Sequence, residues 1–106
     1  MSFVVVAKFQ AKPDSISALT ELITQTAIRS WEEPGLLKYI LVSDDTQPDR
    51  LTLVEFFESE AAYLLHRDSS YLATFRERVS ALIVSPPEVV RGVPALAALS
   101  PKAGIN

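Results

Sequence analysis

Apolar side chains recur at every second position from Phe3 to Ala11: Phe3, Val5, Ala7, Phe9 and Ala11 share one face. The other face carries Val4 and Val6 before turning polar at Lys8 and Gln10. This period predicts a strand. Lys12-Pro13-Asp14 stops it, and the apolar spacing changes to three and four at Ile16, Leu19, Ile23, Ala27 and Trp31. That stripe predicts a helix, with Asp14 or Ser15 as its expected N-cap. Pro34 ends the helix by pushing Glu33 out of α geometry, and Gly35 permits a tight reversal.

Leu36 to Val42 reads as a second strand, apolar on both faces apart from Lys38. Ser43 to Asp49 supplies the turn formers of a hairpin loop. The third strand runs from Arg50 to Phe57, its faces being Leu51, Leu53, Glu55, Phe57 and Thr52, Val54, Phe56. Ser59 is placed to cap a second helix, with Glu60 in a first turn that favours an acid. Asp68-Ser69-Ser70 predicts a kink or a fresh cap. A further helical stretch then carries Leu72, Phe75, Val79 and Leu82 or Ile83 on one stripe, until Ser85-Pro86-Pro87 terminates it. Glu88 to Val93 reads as a fourth strand.

The order βαββαβ predicts a ferredoxin-like α+β domain over residues 1–94, a four-stranded antiparallel sheet with helices on one face. Residues 95–106 read as a tail rich in small residues. Two helices cover one side of such a sheet, yet the first three strands are apolar on both sides. Each large apolar side chain left in water forfeits about 1.5–3 kcal/mol. A second copy packed sheet to sheet removes that cost, so a homodimer is expected.

At 106 residues the chain fits one domain, and 48% hydrophobic against 22% charged residues argues against disorder. The absence of cysteine excludes disulfides, thiolate nucleophiles and cysteine metal sites. The net charge is −3 and the ten Lys and Arg are scattered, so nucleic-acid binding is not expected. Neither a secretory signal nor a membrane span is recognised at this stage, and a cytoplasmic location is expected. The acidic pairs Glu32-Glu33 and Asp44-Asp45 read as parts of solvated loops.

His66 is the single histidine and the one side chain suited to proton transfer near neutral pH. As a general base it would take a phenolic proton, leaving an anion able to reduce oxygen; the plainer alternative is a hydrogen-bonded structural histidine. Tyr63 lies one turn before it on the same helix face, and Tyr71 follows; either suits orienting the imidazole or packing as an aromatic. Phe57 and Trp31 suit either pocket walls or core. Glu55 interrupts an apolar strand face and calls for a structural partner, with Arg76, Arg67 and Lys38 as candidates. One histidine with scattered carboxylates selects no metal. No glycine-rich phosphate loop and no serine-hydrolase elbow is present.

Several segments together resemble the antibiotic biosynthesis monooxygenase family of dimeric α+β barrels. They are Val4 to Pro13, Glu33-Pro34-Gly35 with Tyr39 four residues on, Val54 to Ala61, and His66 followed by Ser70 and Phe75. The resemblance covers residues 3–94. It implies a ferredoxin-like protomer, a homodimer closed into a barrel, and a ligand cavity between helices and sheet. It also implies a cofactor-independent monooxygenase acting on a small phenolic or quinol compound with molecular oxygen, with no metal. His66 is the catalytic candidate on this resemblance, and Phe57, Tyr63, Tyr71, Trp31 and Tyr39 are the substrate-binding candidates. Other members of the family degrade haem or isomerise small sugar-like signals, and a non-catalytic binding dimer is the third alternative. The haem-degrading branch resembles an Asn, Trp, His set. Here the one asparagine is Asn106 and Phe57 stands in place of the strand tryptophan, so haem degradation is not expected.

Overall fold

The structure, a computed structural model, describes residues 2–105. Strand β1 (Phe3–Gln10) leads into helix α1 (Ile16–Ser30), followed by β2 (Leu36–Ser43) and β3 (Arg50–Phe57). Helices α2 (Glu60–Arg67) and α3 (Ser70–Val79) precede β4 (Glu88–Gly92), and a short 3-10 turn spans Pro101–Ala103. The four strands form one antiparallel sheet in the order β2-β3-β1-β4. The ferredoxin-like α+β order is therefore as the pattern predicts, with the second helical region divided in two.

Register assigns the two faces. Pairings Phe3 with Phe57, Val5 with Glu55, Ala7 with Leu53 and Phe9 with Leu51 set one row of side chains toward the helices. These residues are buried, and Leu19, Ile23 and Ala27 of α1 pack on them together with Leu72, Phe75 and Val79 of α3. Phe3, Val5 and Phe57 form a second buried group with Ala62 and Tyr63 of α2. Glu55 is the carboxylate that this register turns inward.

Several local expectations are corrected. Helix α1 stops at Ser30, and Trp31 stands past its end, 60% exposed rather than on the core stripe. Ser30, the last residue of the helix, is fully buried, and its hydroxyl donates back to the Thr26 carbonyl at 2.8 Å. Ser15 occupies the α1 N-cap without a side-chain capping bond, and Asp14 takes a left-handed φ of 65°. Helix α3 ends at Val79, so Ile83 reaches the core from the following segment, where it bridges Ala11. At Ser59 the expected cap is present, its hydroxyl accepting from the Ala62 amide at 3.1 Å.

Gly35 is needed for proximity rather than for a left-handed turn, since no glycine among the described residues has positive φ. A Cβ at Gly35 would stand 2.6 Å from the Ala62 Cβ. The loop after α1 is thus pressed against α2, and the Gly35 carbonyl accepts from the Glu58 amide at 2.9 Å. This contact sets Glu33 beside α2.

On the opposite face, register aligns Val4 and Val6 with Phe56 and Val54, and these in turn with Ile40 and Val90. Among the described residues no α-helix covers this face. Ile40, Val42 and Val90 are exposed, and part of the C-terminal segment, Lys102 to Ile105, lies near Val4, Val6 and Phe56.

Candidate functional site

The break between α2 and α3 builds the site. Asp68 closes α2, and the Ser69 hydroxyl donates to the His66 carbonyl at 2.7 Å. His66 is thereby fixed in the last turn of α2, inward-facing and 3% exposed. Burying an imidazole without partners for its nitrogens costs about 1–3 kcal/mol per orphaned group, and here both are engaged.

His66 Nδ1–H donates to Glu33 Oε2 at 2.8 Å, and Nε2 stands 3.4 Å from Glu55 Oε1. The Tyr71 hydroxyl donates to the same Glu33 carboxylate and lies 3.1 Å from Ser30 Oγ and 3.3 Å from His66 Nδ1. Burial alone would lower the His66 pKa, but the hydrogen bonds and charges of Glu55 and Glu33 outweigh it and raise the value above the ordinary 6.5. The two carboxylates thus favour the protonated imidazole between them. Burial, and then the Glu33 bond, push the Tyr71 phenol up to about 12. Burial and the nearby Glu55 hold Tyr39 well above its usual range.

A cavity of about 790 Å³ opens beside this cluster, between the inner sheet face, α2, α3 and the segment leading into β4. Its floor is Val5, Ala7, Phe9 and Leu53; its helical wall includes Leu72, Phe75 and Val79. Glu55, His66, Tyr39 and Tyr63 supply polar atoms beside this apolar floor, and Lys12, Arg67, Asp68, Arg76 and Arg91 also border the cavity. A volume of this size with a few converging polar groups suits a small-molecule ligand.

The sequence candidates divide accordingly. His66, Tyr39 and Tyr63 line the cavity, and Tyr71 joins the cluster from behind through Glu33. Tyr63 does not orient the imidazole; its hydroxyl accepts from Arg91 at 3.3 Å while its ring packs on Phe3 and Phe57. Phe57 is fully buried beneath His66, at 5.2 Å between ring centroids, and lies outside the cavity lining. Trp31 lies outside the cavity lining, its indole donating to the carbonyl of the lining residue Tyr39 at 3.3 Å. Asn106 lies outside the described residues.

Glu33 was expected in a solvated loop and is instead a principal partner of His66, with its side chain 23% exposed. Glu55 does need a partner, but that partner is His66 rather than a lysine or arginine. Arg67 pairs with Asp68, Arg76 donates to the Arg67 carbonyl, and Lys38 is paired with Phe56 on the outer face. The carboxylates of Glu33 and Glu55 approach different ring nitrogens. Among the described residues no group of three or more His, Cys, Asp or Glu is placed to hold a metal ion.

The fold and site together define a ferredoxin-like α+β protein with an apolar cavity walled by a buried carboxylate–imidazole–carboxylate cluster. A family model described as antibiotic biosynthesis monooxygenase matches residues 2–78, and the chain belongs to that family. Among solved structures, Rv0793 from Mycobacterium tuberculosis is 29% identical over 89% of this chain and 95% of its own, with a TM-score of 0.84. Protein SO0527 from Shewanella oneidensis is 26% identical over 86% of this chain and 88% of its own, with a TM-score of 0.81. A conserved protein from Methanosarcina mazei, 22% identical over 87% and 91% of the two chains at a TM-score of 0.83, is alike in fold. No curated protein matches the chain. No helix among the described residues is long and apolar enough to cross a membrane.

Proposed function

We propose that this chain is a cofactor-independent monooxygenase acting on a small phenolic or quinol-type aromatic compound, working as a homodimer packed sheet to sheet. The observation that carries the reading is the buried His66, held between Glu33 and Glu55 at the wall of the apolar cavity. Family membership supports the class of chemistry. The exposed apolar row of Ile40, Val42 and Val90 supports the dimer.

With both nitrogens engaged, the imidazole does not itself offer a free lone pair to the substrate. Glu55 is the anionic group at the cavity wall, and it takes the phenolic proton while the His66 imidazolium faces it through Nε2–H. The substrate anion transfers one electron to dioxygen, giving a substrate radical and superoxide, and these join at a hydrogen-bearing ring carbon ortho or para to the oxygen. The adduct takes that proton back from Glu55 to become a hydroperoxide. Loss of the carbon-bound proton and of hydroxide, which leave together as water, yields the carbonyl product. One oxygen atom enters the substrate and the other leaves as water, so the substrate supplies all four electrons that dioxygen takes up and the oxidation to the carbonyl product balances without a cofactor.

Oxygen consumption with a panel of quinols and hydroxylated polycyclic phenols tests the reading. Turnover with one oxygen atom from labelled dioxygen in the product, reduced at least about tenfold by Glu55→Gln, is expected for loss of a general base. Absence of oxygen uptake across the panel, or full turnover without oxygen, would overturn it; the latter is the behaviour of an isomerase using the same cluster.

A further inference from the structure

The electrostatics of the cavity run against those of the whole chain. The chain carries a net charge of −3, yet Lys12, Arg67, Arg76 and Arg91 all border the cavity against two carboxylates, Glu55 and Asp68. Both of those acids are already engaged, Glu55 by His66 and Asp68 by Arg67. Among the described residues Lys12, Arg76 and Arg91 have no carboxylate within ion-pairing distance. Among the described residues each therefore retains a positive charge with no carboxylate in direct ion-pair contact, Arg76 feeling Asp68 only at longer range, beside the apolar floor. Low-dielectric walls lined by one sign of charge focus the field and concentrate ligands of the opposite sign.

Two of these cations are also positioned. Arg91 projects to the inner side of β4, opposite Val5, and its Nη1 donates to the Tyr63 hydroxyl at 3.3 Å. Arg76 is held by its bond to the Arg67 carbonyl at 3.2 Å. Each tether uses one nitrogen of a guanidinium that has five N–H donors, leaving the rest available to a planar acceptor. Both side chains are exposed, on the edge strand and on α3, while the acid–base cluster is buried.

We infer that the ligand of this cavity is an anionic aromatic compound, a phenol or quinol bearing a carboxylate, whose carboxylate is bound by Arg76 and Arg91 while the ring enters the apolar floor. The inference rests on the proposed function for the phenolic half of the ligand and on the unpaired cations for the acidic half. A uniformly neutral aromatic would leave the remaining donors of those guanidinium groups to water. A ligand with its anion at the buried end would meet the charge of Glu55. The binding orientation follows: acid outward to the arginines, hydroxyl inward to Glu55 and His66.

Calorimetric titration under nitrogen separates binding from turnover. The probes are 2,5-dihydroxybenzoate and 2,5-dihydroxybenzamide, which share the quinol and differ in the charge. The carboxylate is expected to bind at least about tenfold tighter than the amide, the size of one charge-assisted hydrogen bond. The preference falls as salt is raised and is lost in the Arg76→Gln/Arg91→Gln double variant. Because both side chains are exposed, circular dichroism of that variant is expected to match the parent, and Arg91→Glu alone is expected to reverse the preference. Equal binding of the two probes, binding of neither, or a preference that survives the double variant overturns the inference. Oxygen assays distinguish this from failure of the enzymatic reading. Carboxylate-selective binding without oxygen uptake removes the monooxygenase and leaves the anion site; turnover of neutral quinols with no charge preference does the reverse.

Discussion

Glu33→Gln is the most informative single perturbation, because it removes one charge from the cluster with almost no change in shape. In the parent protein Glu33 accepts from His66 Nδ1 at 2.8 Å and from the Tyr71 hydroxyl, within a site where the imidazole is 3% exposed. A hydrogen bond to a charged group at such a site contributes about 1.5–3 kcal/mol, which lowers the proton affinity of His66 by about tenfold to a hundredfold when lost. The chain has one histidine, so a single imidazole resonance reports the titration without assignment ambiguity. In the parent this resonance is expected to titrate above the ordinary 6.5. In Glu33→Gln it moves down, and in the Glu33→Gln/Glu55→Gln variant burial is the remaining influence and the value drops below 6.5. The same group sets a pH dependence of stability. Its folded pKa is raised, so its contribution is fully present below the unfolded value of 6.5 and is lost as pH rises through the folded value. Urea midpoints should therefore fall over that alkaline-going window in the parent and change less in the variant. A parent resonance titrating at or below 6.5, or one unmoved by Glu33→Gln, refutes the cation between two carboxylates.

The other expectations concern packing and assembly. Phe57→Ala removes a fully buried ring under His66 and should cost about 3–5 kcal/mol in chemical denaturation. Trp31→Phe, at an exposed position with one hydrogen bond to lose, should cost about 1 kcal/mol or less in the same measurement. Gly35→Ala brings a Cβ to 2.6 Å from Ala62 and should cost about 1–3 kcal/mol, with a shifted His66 resonance as the Glu33 loop moves off α2. Sedimentation equilibrium should find a dimer that Ile40→Lys/Val42→Lys converts to a folded monomer; a parent that sediments as a monomer at micromolar concentration removes the sheet-to-sheet assembly.

What the sequence disclosed and what it withheld follow from the range of the interactions involved. Strand period, helix stripe and the Ser59 cap are set by residues a few positions apart, and the fold follows from them. Alternation alone sets Phe3, Val5, Ala7 and Phe9 on one face, and their burial and register with β3 identify it as the inner one. Trp31 misled because a spacing of four continues the stripe on paper, while the helix stops at Ser30 and the next side chain turns outward. The cluster itself joins residues 33 positions apart, from Glu33 to His66. No periodicity encodes that contact: Glu33 reads as one of two loop acids until Gly35 is seen pressed against Ala62. Glu55 carried the stronger local signal, an acid on an apolar strand face, and that signal correctly demanded a partner while leaving its identity open. The demand has a consequence for function. A carboxylate buried at such cost would be replaced by Leu or Val if its task were packing alone, since an apolar side chain of similar volume is commonly as stable or more so. Its placement at the cavity wall, paired with an imidazole rather than an arginine, leaves it a proton partner that can give and receive near neutral pH. That distinction, between an acid held by a permanent cation and one held by a titratable cation, is the physical reason for regarding this cluster as chemistry rather than scaffold.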